Sequence, residues 1–320
     1  MNTTEPRIVR VEALADLPVL WATFQRLDLP ATLDRHFPAP LHWKGPLTPG
    51  EVLAVWLLFL VSQGDHCLNH VQPWVAQHQG TLSALLGKRV RPTDAHDDRL
   101  ADWLTRLGAG AAFRAVERDL SQQTIRVYQL PTELVRIDTT TANSYAAVLS
   151  EQGLLQFGHS KDDPERPQLK IAAAILDPLG TPLATAVVPG NAADDPLYVP
   201  AIQAVQQSLG VGGRTYVGDC KMAALATRAF VASGGDFYLC PLPETQVSRA
   251  ERRELLRPVW DGTLPLQQVR RPGAKGQPDE LVAEGFAVDV ELAARVGEQE
   301  VVRSQAYARA QEAALERRLE

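Results

Sequence analysis

The chain has 320 residues, of which 45% are hydrophobic and 22% charged, and its formal net charge is −6. These fractions are typical of a soluble globular protein, and the length suggests two domains. The acidic balance argues against a broadly basic nucleic-acid binder. Three cysteines are too few for a disulfide framework, which favours a reducing cytoplasm. Because no signal peptide is visible and the apolar run at 52–61 is short, we expect no membrane association.

The first 130 residues carry helical periodicity. Apolar residues recur at helical spacing in residues 12–36, and residues 66–130 are also predicted to be helical. The tetrapeptide Thr-Pro-Gly-Glu at 48–51 begins a helix, with Thr as the N-cap, Pro in the first turn and Glu three residues after the cap. The helix that follows is apolar on nearly every side, which predicts a central position. Residues 1–130 are therefore predicted to form an all-helical domain.

After Pro131 the pattern changes to alternating strands and helices. Short apolar runs predict strands at 134–138, 169–176, 182–188, 215–217 and 237–240, and helices at 196–209 and 223–232. A turn at 177–180 joins the second and third strands into a hairpin. This order predicts an α/β domain with a mixed sheet over residues 131–243.

The last part of the chain, residues 244–320, is predicted to be an insertion or subdomain that ends in a helix. Residues 244–291 are polar and rich in arginine and proline, with short strands expected at 281–290. Residues 299–320 have the composition of a charged helix.

Two aspartates stand at the ends of predicted strands. Asp138 ends the first strand, and Asp219 follows the strand at 215–217. Carboxylates on neighbouring strands can face one gap and share divalent ions, and Mg²⁺ or Mn²⁺ is the expected cofactor because hard cations prefer oxygen ligands. Paired ions can activate a water or a 3′-hydroxyl and stabilise the leaving oxygen in phosphoryl transfer. The alternative is that both are ordinary strand-end or N-cap residues.

Other polar residues allow two interpretations each. The segment at 158–162 and Lys170 are suited to phosphate contact, or they belong to a solvated hairpin loop. Asn191 and Asp194 cap the next helix or support the site. His66 and His70 have a zinc-compatible spacing, but no Glu follows His66 as in zinc proteases.

Several segments match one known family in order and spacing: Ile137-Asp138-Thr139-Thr140, Phe157-Gly158-His159-Ser160-Lys161-Asp162, Leu169-Lys170, Pro189-Gly190-Asn191 with Asp194, and Val217-Gly218-Asp219 with Met222. With these segments, residues 135–243 resemble the DDE transposases of bacterial insertion sequences, in the IS-four-type branch with an N-terminal helical domain. Upstream, residues 97–100 (Asp-Asp-Arg-Leu) resemble a motif that such proteins carry between the helical domain and the core.

The resemblance implies an RNase H-like core, a mixed five-stranded sheet with helices on both sides. It implies metal-dependent cleavage and strand transfer at transposon ends, with DNA as the partner and a homo-oligomer allowed. By position, Asp138 corresponds to the first catalytic acid and Asp219 to the second. Lys161, Lys170 and Lys221 are then the expected DNA contacts. Cys220-Lys221 is a departure, because relatives typically have a small or Gly-rich turn before Met; Lys221 then either helps to hold phosphate or competes with the metal.

The third acid is the larger departure. Relatives carry it as a Glu on a helix, in a Tyr-x₂-Arg-x₃-Glu-x₆-Lys pattern. The nearest match, at 307–312, has spacings one residue short, and Leu319 stands in place of the Lys. We therefore expect a chain truncated before the third acid and impaired in activity. The alternatives are a non-enzymatic DNA-binding or regulatory fragment, and a metal-dependent nuclease unrelated to transposition whose third carboxylate is Glu298, Glu300 or Glu312.

Overall fold

The computed structural model describes residues 11–108, 110–148, 150–158, 163–292 and 295–304. The chain divides into two compact units, Met1–Pro241 and Leu242–Glu320. The domain boundaries predicted after residues 130 and 243 stay predictions.

The first part of the first unit is helical, as predicted. Its helices are α1 (Leu17–Arg26), α2 (Leu29–His36), α3 (Pro49–Gln63), α4 (Leu68–Gln77), α5 (Gln79–Leu86), α6 (Asp97–Leu107) and α7 (Ala111–Tyr128). The predicted start of α3 is confirmed: the Thr48 hydroxyl accepts from the Glu51 N–H at 3.2 Å, and the Glu51 carboxylate accepts from the Thr48 N–H at 2.8 Å. Helix α3 is central because Ala54 and Leu58 have no exposed surface.

The helical core is dense in aromatic side chains. The Trp103 ring is 2% exposed and meets the rings of Phe37 and Trp43 edge-on, at centroid distances of 6.2 and 5.9 Å.

None of the described helices is by itself long and apolar enough to cross a membrane. Helices α3 and α4 pass that test by length and composition only as a pair, and the pair is bent by 93°.

A five-stranded mixed sheet follows in the same unit. Its elements are β1 (Leu134–Asn143), β2 (Gln168–Leu176), β3 (Thr181–Pro189), α8 (Tyr198–Leu209), β4 (Thr215–Val217), α9 (Leu225–Ser233) and β5 (Phe237–Leu239). The strand order is β3-β2-β1-β4-β5, with β1, β2 and β3 antiparallel and β4 and β5 parallel to β1. This is the order of an RNase H-like sheet, so the predicted fold class is confirmed. One face is buried against α8 and α9 through Val135, Ile137, Tyr216, Ile202 and Val231.

The second unit contains α10 (Arg249–Trp260) and an antiparallel sheet of β6 (Gln267–Arg271), β7 (Glu280–Leu292) and β8 (Arg295–Ser304). The strand expected at 281–290 is confirmed as part of β7. Helix α10 was not predicted, although Ser248 and Glu251 form a capping box at its start.

The helix predicted at 299–320 is wrong for residues 299–304. These residues lie in β8 and pair with β7, with Ala287 opposite Glu300. Val296, Val301 and Val302 favour a strand, and the thirteen-residue β7 supplies the partner edge that no local pattern reveals. Glu298 and Glu300 are therefore strand residues of the second unit. Residues 305–320, with Glu312, lie outside the described residues.

Candidate active site

Asp138 lies in β1, and Asp219 lies two residues beyond the end of β4, the neighbouring parallel strand. The last register pair of β1 and β4 joins Arg136 to Val217. Each aspartate is two residues beyond that pair, so both stand at the same level of the sheet on strands about 4.8 Å apart. The Gly218 N–H donates to the Leu239 carbonyl at 3.1 Å, which continues the sheet one residue past β4. Both side chains are exposed, and the charges of both raise the pKa of the Tyr198 phenol, so the structure brings the two predicted acids near one group.

Asp138 lies inside its strand, which corrects the prediction that it ends the strand. Residues 139–143 extend β1 and pair with β2, where Thr139 faces Ala172 and Asn143 faces Gln168. Threonines fit a pleated strand well because they are β-branched. The Asp138 Oδ1 accepts from the Thr139 N–H at 2.7 Å. One carboxylate oxygen is therefore held by the backbone of the strand that carries it.

Asp219 is held by a tight turn after β4. Its Oδ1 accepts from the Lys221 N–H at 2.8 Å, and its carbonyl accepts from the Met222 N–H at 3.1 Å. Gly218 makes this turn feasible: a Cβ there would stand 2.6 Å from the Met222 Sδ and 2.9 Å from the Tyr198 Cε1. The glycine of the Val-Gly-Asp segment is therefore required by packing.

Tyr198 is a site residue that the sequence did not reveal. Its side chain is 1% exposed, and its hydroxyl donates to the Asp219 Oδ1 at 2.6 Å. Burial, the hydrogen bond to Asp219 and the charges of Asp219 and Asp138 raise the pKa of the phenol far above its usual value. The phenol is therefore a permanent donor that fixes one oxygen of Asp219. Its only signal in the sequence is a position at the start of helix α8.

We predict that Tyr198→Phe lowers metal-dependent activity by about 10- to 100-fold, because partners that orient a metal ligand typically carry that much. The chain offers a matched control in Tyr216, whose fully buried hydroxyl has no hydrogen-bond partner among the described residues. Tyr216→Phe removes an unsatisfied polar group, so we expect unchanged activity and unchanged or higher stability. Equal losses in both variants would contradict the role given to Tyr198.

Lys170 and Asp194 tie the loop after β3 to the sheet. The Lys170 Nζ donates to the Asp194 Oδ1 and to the Ala192 carbonyl, each at 2.6 Å, and the Thr139 hydroxyl donates to the Asp194 Oδ1 at 3.2 Å. The Asp194 side chain makes no helix-capping hydrogen bond, so it supports the site instead. Lys170 is 9% exposed. Its ammonium group holds the loop next to Asp138, a positioning role.

The Lys170–Asp194 pair predicts a pH-dependent stability. Burial opposes the ionisation of Asp194, but the hydrogen bond and charge of Lys170 outweigh it and lower its pKa. Because the pKa of Asp194 is lower in the folded state, its ionised form stabilises the fold at every pH above the unfolded-state pKa of about 3.9. This stabilisation is lost as the pH falls through the folded-state pKa. We expect Asp194→Asn to cost about 2 kcal/mol at pH 7. The cost should shrink towards pH 3 in urea unfolding.

The exposed neighbour Asp195 is the control for this experiment. Asp195→Asn should leave the unfolding free energy within about 0.5 kcal/mol of the unmodified chain at every pH. A cost of Asp194→Asn that stays constant from pH 7 to pH 3 would contradict the ion-pair explanation.

Two glycines join the remaining motif segments to the start of β2. A Cβ at Gly190 would stand 2.1 Å from the Gln168 carbonyl oxygen, and a Cβ at Gly158 would stand 2.4 Å from the Gly190 oxygen. The Gln168 Nε2 also donates to the Gly190 carbonyl at 2.9 Å. The Phe-Gly and Pro-Gly-Asn segments therefore stack on the strand that carries Lys170.

The other predicted contacts differ in position. Lys221 is exposed beside Asp219, and its charge helps to lower the pKa of Asp194, so it lies near both. Lys161 lies outside the described residues. Lys170 is buried, as described above. The DNA contacts of all three stay predictions.

The histidine pair predicted as zinc-compatible forms a different group. His70 approaches Asp65 and Cys67 rather than His66, and their ligand atoms lie within 4.8 Å of one another. Asp65 accepts from the Cys67 N–H at 2.8 Å and pairs with His70 at 2.7 Å, and these hydrogen bonds lower its pKa to about 2. A second group at the start of α6 contains His96, Asp97 and Asp98. In the described part of the chain, neither three-residue group includes Asp138 or Asp219.

No protein-family model matches this chain, and no curated protein matches its sequence. Similar solved structures include a cryo-EM structure of the piggyBac transposase synaptic complex with hairpin DNA. It has a TM-score of 0.38 at 10% identity, over 91% of this chain and 61% of that one. The chain thus spans 61% of the length of that transposase.

Two structures of Mos1 transposase are also similar. The paired-end complex with the left transposon end has a TM-score of 0.25 at 10% identity, over 80% of this chain and 92% of that one. A pre-cleavage Mos1 transpososome has a TM-score of 0.25 at 10% identity, over 72% of this chain and 78% of that one.

Proposed function

We propose that this chain carries the first two metal-binding acids of a DDE-type transposase core and acts on DNA by metal-dependent phosphoryl transfer. The observation that carries the proposal is that Asp138 and Asp219 each lie two residues beyond the last register pair of adjacent parallel strands, and that the charges of both act on Tyr198. The RNase H-like strand order and the motif segments around both aspartates support it. The ends of a bacterial insertion sequence are the proposed substrate.

The donor set fits a hard divalent cation such as Mg²⁺ or Mn²⁺. One oxygen of each carboxylate is held, since Oδ1 of Asp138 accepts from Thr139 and Oδ1 of Asp219 accepts from Tyr198 and Lys221. No hydrogen bond among the described residues uses either Oδ2, so both Oδ2 atoms are available as ligands. Mg²⁺ keeps several waters and needs only one or two carboxylates.

Each surrounding residue has a task in this proposal. A bound ion would activate a water or a 3′-hydroxyl and stabilise the leaving oxygen. Tyr198 keeps the Asp219 carboxylate in one orientation. The exposed ammonium of Lys221 offers a contact for a phosphate oxygen. Lys170 and Asp194 keep the loop after β3 against the strand that carries Asp138.

We further propose that activity is low, because the described residues form no group of three metal-ligating side chains that includes Asp138 or Asp219. The test uses purified chain and supercoiled plasmid DNA, with Mg²⁺, Mn²⁺ or EDTA. We expect slow nicking with either metal and none with EDTA. DNA retention in a gel without nicking in any metal would instead identify a non-enzymatic DNA-binding fragment. Rapid cleavage would contradict impairment.

A further inference from the structure

A cavity of about 450 Å³ lies in the helical part of the first unit, and basic side chains dominate its wall. Lys44, Arg91, Arg99 and Arg106 contribute four cations, and Asp102 is the only acidic residue among the described lining residues. Such a concentration of positive charge is unexpected in a chain of net charge −6. The cavity therefore differs chemically from the rest of the molecule.

The wall is built around a buried carboxylate. Asp94 is 1% exposed and pairs with Arg91 at 2.6 Å and with Arg99 at 3.7 Å. Arg99 also stacks on Trp43, with its guanidinium carbon 3.7 Å from the ring centroid, and donates to the Lys44 carbonyl at 2.9 Å. These contacts fix both arginines in place. Arg99 belongs to the Asp-Asp-Arg-Leu motif noted in the sequence, so the cavity gives that motif a structural role.

A glycine lets the loop close over this pair. Gly45 has a φ of +120°, and a Cβ there would stand 2.6 Å from the Arg91 Nη2 and 2.9 Å from the Asp94 Oδ1. The Lys44 backbone can therefore approach Arg99 only because residue 45 has no side chain.

Positive charge remains in excess after these pairings. Asp94 and Asp102 offset two of the four cations, which leaves two uncompensated charges. Lys44 and Arg106 are exposed, and neither pairs with a carboxylate among the described residues. Burial lowers the pKa of Arg99; the charge of Asp94 opposes this shift, and repulsion from the charge of Arg91 adds to it. An anion in the cavity would relieve that repulsion.

We propose that this cavity binds backbone phosphates of DNA, with Lys44 and Arg106 as the exposed contacts and Arg91 and Arg99 as the fixed part of the wall. The proposal rests on the proposed function, which supplies DNA as the partner. Arginine and lysine are the usual phosphate contacts of DNA-binding proteins, and such contacts position the duplex without reading its sequence.

The test is fluorescence anisotropy with a labelled 30-base-pair duplex in EDTA, so that binding is measured apart from cleavage. The variant is Lys44→Ala with Arg106→Ala, which removes two exposed charges and leaves the arginines on Asp94 intact. We expect affinity to fall about 10- to 100-fold at low salt. The slope of log K against log salt should fall by about 2, since each phosphate contact contributes about 0.9.

The control is Arg89→Ala with Arg114→Ala, which removes the same charge at exposed positions outside the cavity. An equal loss in both double variants, or no loss in the first, overturns the proposal. Thermal unfolding in sodium phosphate, compared with sodium chloride at equal ionic strength, separates the sources of phosphate. Suppose that phosphate raises the unfolding temperature of the unmodified chain but not of the Lys44/Arg106 double variant, while both bind DNA equally. That result would identify a site for free phosphate and would also overturn the proposal.

The two proposals fail separately. If the cavity variant binds DNA normally while nicking still requires metal and Asp138, the cavity proposal fails and the proposed function stands. If nicking is absent but DNA binding depends on Lys44 and Arg106, the cavity proposal stands and the catalytic one fails.

Discussion

Replacing Asp138 or Asp219 by asparagine is expected to lower metal-dependent nicking of plasmid DNA by about 10³-fold, or about 4 kcal/mol of transition-state stabilisation. Asparagine keeps the size of the side chain and an acceptor oxygen, so the hydrogen bonds from Thr139 or from Tyr198 can persist. It removes the negative charge that the cation needs. Because both carboxylates would serve the one proposed ion site, the double variant should be little worse than either single variant.

The matched control is Asp177→Asn in the turn after β2, where the carboxylate pairs with Arg136 at 2.9 Å near the start of β1. It should nick DNA at an unchanged rate. DNA binding in EDTA should be equal in all variants, because the substitutions act on the metal. Nicking that persists in Asp138→Asn and Asp219→Asn would place the chemistry elsewhere, and an equal loss in Asp177→Asn would indicate damage to the fold.

Gly190→Ala is expected to lower the free energy of unfolding of the first unit by about 3 kcal/mol, at the upper end of overpacking costs. The new Cβ would stand 2.1 Å from the Gln168 carbonyl oxygen, which belongs to the backbone of β2 and cannot rotate away. The strand or the loop must shift. Either shift moves the Ala192 carbonyl and Asp194 away from Lys170, so nicking should fall together with stability.

Gly108→Ala is the control for this substitution. Gly108 has a φ of −67°, and a Cβ at this position would stand 3.5 Å from its nearest atoms, the carbonyl oxygens of Leu104 and Thr105. Alanine therefore fits without strain. Thermal unfolding should show this variant within about 0.5 kcal/mol of the unmodified chain. A Gly190→Ala chain as stable as the Gly108→Ala chain would show that the contact with Gln168 relaxes easily.

The order of elements in the first unit was predictable because its signals are local. Four consecutive residues are enough to identify the Thr48 capping box, and four are enough to identify the turn at 177–180. The apolar run of β2 by itself predicts a buried strand. The two aspartates were predicted the same way, as polar residues at the ends of apolar runs. Only the structure shows that the two aspartates lie close together, because the pairing of β1 with β4 depends on the assembled sheet and not on a local sequence pattern.

The roles and the strand that the sequence did not predict depend on partners that are distant along the chain. Tyr198 gains its role from Asp219, and Lys170 gains its role from Asp194, over separations of 21 and 24 residues. Strand β8 exists because β7 offers an edge, which outweighs the helical composition of its charged residues. Helix α10 was missed for another reason, because Ser248 and Glu251 carry a local signal within a segment rich in arginine and proline.

The parallel pairing of β1 with β4 has a kinetic consequence. Residues 139–218 separate the two aspartates in sequence, so the loop that joins them must close before they meet. Contacts of such high sequence separation form late and slowly in folding. The β2–β3 hairpin and α8 lie within that loop and can form beforehand from short-range contacts. A nascent or partly folded chain therefore holds no paired carboxylates, and the proposed metal site forms only with the finished sheet.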